Sequence, residues 1–89
     1  MKAVVTVVGK DAVGIIANVC TVLAQYNVNV LDISQTVMQG YFTMMMVVDV
    51  SAATEPIGTL AETLEQKGKA MNLSIRLQRE DIFEAMHRV

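Results

Sequence analysis

Gly9 and Gly14 bracket the stretch of this 89-residue chain best suited to hold a ligand. They sit in the run V-V-T-V-V-G-K-D-A-V-G-I-I, from Val4 to Ile16. The run predicts a buried strand, a short turn and an immediate helix. Asp11 is placed to cap that helix, because a carboxylate accepts the free N–H groups of a first helical turn. Gly14 has no side chain, so a small ligand can approach the backbone there. Helix N-terminal amides and the helix dipole attract carboxylates and other anions. The turn is therefore suited to a small acidic or zwitterionic ligand, although a Gly-permitted strand-to-helix turn needs no ligand to explain it.

Other chemistries fail on residue type. The glycine spacing is that of a phosphate loop, but Ile15 and Ile16 stand where such a loop needs its Lys and Ser/Thr. An acyl-phosphate hydrolase needs an Arg in this loop, which offers only Lys10 and Asp11. A metal chaperone needs a Cys-x-x-Cys pair there, and the only cysteine, Cys20, lies on an apolar helical stripe as a buried core thiol. His87 is the single histidine and reads as a solvated side chain near the carboxy terminus. Asp32 and Asp49 share the open face of a sheet, where they keep it wet. No catalytic set, metal site or cofactor site can be assembled, so an enzyme is not expected.

The elements follow from periodicity. Ala3 to Gly9 is β-branched and apolar, as in a central strand. From Val13 to Tyr26, Ile15, Val19, Val22 and Tyr26 fall on one helical stripe with Ile16, Cys20 and Leu23 beside them. Asn27 stops this helix, since Asn tolerates the left-handed conformation of a C-terminal cap. Val28 to Met38 alternates, with Leu31, Ile33 and Val37 against Asp32, Ser34 and Thr36, so one strand face is drier. Gln39-Gly40 is a tight turn into the strand Tyr41 to Val50. Pro56 reads as a first helical residue. Ile57, Leu60, Ala61, Leu64 and Met71 form the inward stripe of the second helix. Asn72 to Arg79 is a fourth strand, with Leu73, Ile75 and Leu77 on one face. Asp81 caps a short terminal helix that turns Ile82, Phe83, Met86 and Val89 inward.

This βαββαβ order predicts an α+β, ferredoxin-like sandwich over residues 1–89. Four antiparallel strands carry both main helices on one face. Met38, Met45 and Val47 add apolar area to the other face, and edge strands are exposed, which suggests self-association. The lone cysteine fits a reducing cytoplasm. A net charge of −2, seven scattered Lys and Arg and no Trp argue against nucleic acid. No apolar run nears the roughly 20 residues that cross a bilayer, and no signal peptide is visible.

Three runs carry a resemblance: Gly9-Lys10-Asp11-Ala12-Val13-Gly14-Ile15-Ile16-Ala17, then Leu23-Ala24-Gln25-Tyr26-Asn27-Val28-Asn29-Val30, then Asp32-Ile33-Ser34-Gln35. They resemble the ACT domain, in particular stand-alone UPF0237-type proteins, and are similar to single modules of glycine-cleavage regulatory proteins. The resemblance implies a regulatory module that binds an amino acid or similar metabolite. It implies a ligand-holding turn at Lys10, Asp11, Ala12, Val13 and Gly14. It implies that Asn29 reaches a ligand held by the neighbouring subunit of a homodimer whose sheets join side by side. Where serine-binding members often carry Pro, this chain has Val13, and an acidic Asp11 suits an ammonium group. The alternative on the same fold is a ligand-independent protein-interaction module.

Overall fold

Alternation along the strands decides which side of the sheet is dry. The computed structural model of the chain describes residues 1–10 and 14–81. Its elements are β1 (Lys2–Gly9), α1 (Ile15–Gln25), β2 (Asn29–Met38), β3 (Tyr41–Asp49), α2 (Ile57–Ala70) and β4 (Ser74–Arg79). The strands stand in the order β2-β3-β1-β4, and every neighbouring pair is antiparallel. This is the expected ferredoxin-like sandwich. Ala3, Val5 and Val7 of β1, the even-numbered Phe42 to Val48 of β3, and Ile75 and Leu77 of β4 are all buried. They pack with Ile15, Val19 and Leu23 of α1 and Leu60 and Leu64 of α2. Each such side chain contributes about 1.5–3 kcal/mol on burial, which is what clamps helices to sheet.

Both main helices end in the same way. At the end of α1, Val28 N–H donates to Leu23 C=O (3.0 Å) and Asn27 N–H to Ala24 C=O (3.0 Å). At the end of α2, Leu73 N–H donates to Gly68 C=O (2.7 Å) and Asn72 N–H to Lys69 C=O (3.1 Å). These are paired Schellman motifs, with Asn27 (φ 59°) and Asn72 (φ 62°) in the left-handed position. Periodicity and residue type point to the first stop; at the second, the apolar pattern instead places Asn72 at the start of a strand. Gln39 and Gly40 both have positive φ, 50° and 82°, as a two-residue hairpin requires.

Several boundaries move. Helix α1 starts at Ile15, with Gly14 as its cap residue, so Asp11 does not occupy the cap position. Pro56 is likewise the cap residue of α2: its C=O accepts Leu60 N–H at 2.9 Å, and Ile57 is the first helical residue. Strand β4 begins at Ser74, because residues 71–73 are taken up by the helix stop. Cys20 is half-buried against the core and not enclosed by it. The terminal helix expected beyond Asp81, with Ile82, Phe83, Met86 and Val89 inward, and the solvated His87 fall outside the described residues.

The largest departure is β2. All its residues except the half-buried Val30 are exposed, so the face expected to be dry is not covered. Leu31 is 47% exposed and Val37 64%. A register shift between Val30 and Asp32 explains part of this. The extra residue, Leu31, is a bulge, and beyond it Ile33 and Val37 face the helix side opposite Met46 and Phe42. The partly buried α1 residues do not reach that far across the sheet. The molecule is a slab of 35 × 34 × 20 Å, two layers thick, with β2 protruding past the helices.

Candidate functional site

The turn after β1 is built by two glycines with different jobs. Gly9 ends β1 opposite Phe42, and a side chain there would run into Leu73 and sit 3.3 Å from Ile15 Cδ1. It is a packing glycine. Gly14 has φ +75°, a conformation L side chains rarely adopt. The space beside it is open, with only Asn18 Nδ2 at 3.7 Å from a would-be Cβ. Backbone conformation, not crowding, calls for glycine there. Its C=O accepts Asn18 N–H at 2.9 Å, opening the helix.

The first N–H groups of α1 have no intrahelical acceptor. The first turn holds no acidic side chain, and Gly14 supplies no side-chain cap. The positive end of the α1 dipole therefore faces the turn without a charge partner from the helix itself. Gly14 and Lys10 are both exposed. Asp11, Ala12 and Val13 lie outside the described residues.

Asn29 is exposed at the first position of β2. The register pairs it with Asp49, which pairs in turn with Lys2. The turn lies at the other end of the sheet, where Gly9 pairs with Phe42 and Phe42 with Val37. At ~3.4 Å per residue along β1, the two ends are about 24 Å apart. One chain thus keeps Asn29 away from Lys10 and Gly14. Asp49, near Asn29, accepts Ser51 N–H at 2.9 Å and lies 3.5 Å from the Met1 ammonium. Hydrogen bonds from the Ser51 side chain and backbone, then the ammonium, hold its carboxyl below the ordinary value. Asp32 accepts Ile33 N–H at 2.9 Å beside the bulge.

Among the described residues, no three His, Cys, Asp or Glu side chains stand close enough to hold a metal ion. No described helix is long and apolar enough to cross a membrane.

This arrangement of sheet, turn and exposed edge coincides with a known family. The family model described as the ACT domain matches residues 2–78. The chain belongs to the ACT domain family, a regulatory fold that commonly binds amino acids. Within it, the chain is of the UPF0237 type. It is 57% identical to a UPF0237 protein of Bifidobacterium longum over 88 residues, 99% of this chain and 98% of that one. It is 49% identical to a UPF0237 protein of Listeria innocua over 89 residues, the full length of both. The solved ACT domain protein from Streptococcus pneumoniae superposes with a TM-score of 0.84 at 46% identity, covering 98% of each chain. A formyltetrahydrofolate deformylase from Pseudomonas syringae shares the fold alone, with a TM-score of 0.77 at 20% identity over 88% of this chain and 27% of that one.

Proposed function

We propose that this ACT domain is a regulatory module that binds a small amino acid between two copies joined at their β2 edges, and that it passes the signal to a partner protein. The observation that carries this reading is the separation of Asn29 from the turn. Strand β2 is an edge strand of ten residues, exposed on both faces. Antiparallel pairing of β2 with β2 of a second copy, centred near Ile33 and Ser34, sets each Asn29 beside Met38 of the other. That is the end of the sheet where the turn lies. Two copies thereby supply what one cannot.

The α1 amides beyond Gly14 then take the ligand carboxylate, with Lys10 adding positive charge. Asp11 in the turn or Asn29 from the second copy takes the ammonium. Ile33 and Val37, bare in one chain, are covered at the joined edge. The ligand regulates by favouring the paired arrangement, which requires unequal affinity for paired and unpaired copies.

The test is an NMR titration with each common amino acid. Shifts at Gly14 to Ala17 and at Asn29, both lost in Asn29→Ala, support the reading. Shifts at the turn that survive Asn29→Ala remove the second copy from the site. No shift at either place removes amino-acid binding. The reading that is then left is a ligand-independent interaction module, favoured by the same exposed β2 edge.

A further inference from the structure

The sheet surface turned away from the helices is partly exposed and carries a pattern of charge. Its centre is apolar: Val8 of β1 and Met45 of β3 are exposed, Val47 of β3 is half-buried, and Val4 of β1 is buried among its neighbours at 6%. Val8 and Met45 are 38% and 37% exposed, high for central strands. Its flanks are oppositely charged. Asp32 lies on β2 at one edge and Arg76 on β4 at the other. Arg76 is exposed and makes no ion pair among the described residues.

We propose that this face packs against the same face of a second copy of this chain, about a two-fold axis that runs along the strands between β1 and β3. The charges choose the axis. Rotation about it reverses the strand order, so β2 lies over β4 of the second copy and β3 over its β1. The register puts Val4, Val47, Asp32 and Gln78 in one row, and Thr6, Met45, Ser34 and Arg76 in the next. Val47 therefore meets Val4 of the second copy, and Met45 meets its Thr6. Asp49 faces Lys2 of the second copy. Asp32 lies one row, about 7 Å along the strand, from Arg76 of the second copy. Symmetry makes every one of these pairs twice. An axis across the strands would instead lay β2 on β2 and β4 on β4, drawing like charges together.

Shape and area agree with this. A hollow of about 210 Å³ opens on the β2–β3 side, with Val4, Asp32, Ser34, Met45 and Val47 among its walls. The rotation brings Arg76 of the second copy over it. Asp32 Oδ1 already accepts Ile33 N–H, which leaves Oδ2 for a guanidinium. The strands have 8, 10, 9 and 6 residues. At ~3.4 by ~4.8 Å per residue the face projects to about 500 Å² per copy, or about 1,000 Å² for the pair. That is at the threshold of about 1,000 Å² for a biological interface and below the roughly 1,200 Å² of stable ones, and aligned sheet packing at about 30° is the ordinary way to cover it.

This surface shares only the outward side chains of β2 with the edge, lies apart from the turn, and its test needs no ligand. Sedimentation equilibrium is measured on the full chain and on Arg76→Glu, Thr6→Glu and Arg76→Glu with Asp32→Arg. Circular dichroism checks that each variant is folded. Arg76 is on the strand farthest from β2, so its change leaves edge pairing intact. We expect Arg76→Glu to weaken one association step about tenfold or more, because like charges then face each other. Thr6→Glu should halve the mass, and the reversed pair should recover the parent mass. A monomeric parent at 100 µM (about the concentration of a routine run) overturns the proposal. So does an associated parent whose mass is unmoved by Arg76→Glu and by Thr6→Glu. A reversed pair as weak as Arg76→Glu alone overturns the chosen axis.

Discussion

The two βαβ halves of this domain end their helices with the same motif and then diverge. In the second half, β4 returns directly beneath α2. Gly68 of α2 is buried, and a Cβ there would stand 2.9 Å from Ile75 Cγ1 and 3.0 Å from Leu73 O. The missing side chain lets helix and strand approach, so Ile75 and Leu77 are nearly inaccessible. In the first half, β2 leaves α1 through the same asparagine stop but passes a bulge at Leu31 and runs out beyond the helix layer. One half is closed on itself. The other ends in an open edge with apolar side chains, Ile33 and Val37, on the side the helices fail to cover. The lesson is that one supersecondary unit serves two ends: packing where a close-approach glycine allows it, and presentation where the strand outruns its helix.

The largest expected effect is in the closed half. Leu64→Ala removes a fully buried side chain and should cost about 2–5 kcal/mol, read by urea denaturation. Val37→Ala in the open half should change the stability of a single copy by less than about 0.5 kcal/mol. Equal costs would show that β2 is covered in a single copy after all. Next, Gly68→Ala should cost about 1–3 kcal/mol through overpacking against Ile75 and the Leu73 carbonyl. Gly58→Ala, in the same helix with open space around it, should stabilise by up to about 1 kcal/mol. A neutral Gly68→Ala would mean that the close approach can relax, and the contrast between halves would weaken.

A smaller effect tests what the halves share. Asn27→Ala and Asn72→Ala each place a Cβ-bearing residue without a helpful amide in the left-handed region, at a cost of about 1 kcal/mol. Asn27→Ala also removes the Asn27 Nδ2–H bond to Ala52 C=O (2.9 Å), so its melting shift should be the larger; a larger shift for Asn72→Ala would deny that the two stops are equivalent. The smallest effect is electrostatic and sits at the Asn29 end of the sheet. The Asp49 carboxyl is held below its ordinary value of 3.8 by Ser51, first through the side chain and then through the backbone N–H. A carboxyl depressed in the fold stabilises above its unfolded pKa, and the benefit is lost as pH falls through the folded one. Ser51→Ala should therefore lower the melting temperature slightly more at pH 7 than near pH 2, where only the hydrogen bond from the Met1 ammonium to Ser51 Oγ is still lost. An equal drop at both would assign the loss to something other than the Asp49 charge.

The element order, the inward faces of β1, β3, β4 and both helices, and the turns at Asn27 and Gln39-Gly40 were legible from the residues alone. Hydrophobic period and turn chemistry are local properties, and Asn27, Gln39-Gly40 and Gly14 declare them within a few residues. The family resemblance carried by residues 9–17 and 23–35 was legible for the same reason, as was the placement of the candidate turn. Other features depended on tertiary structure. Alternation along Leu31, Ile33 and Val37 predicts a drier face, but only the bulge and the reach of α1 leave that face bare. Gly68 carries no local sign of its role, because its neighbour Ile75 arrives from another element. The αL conformation of Gly14 moved the helix start past Asp11. Above all, the 24 Å between Asn29 and the turn is set by the antiparallel register of three strands. Whether side chains far apart in sequence share a site is decided only by how the sheet is assembled, and here a single sheet keeps them apart.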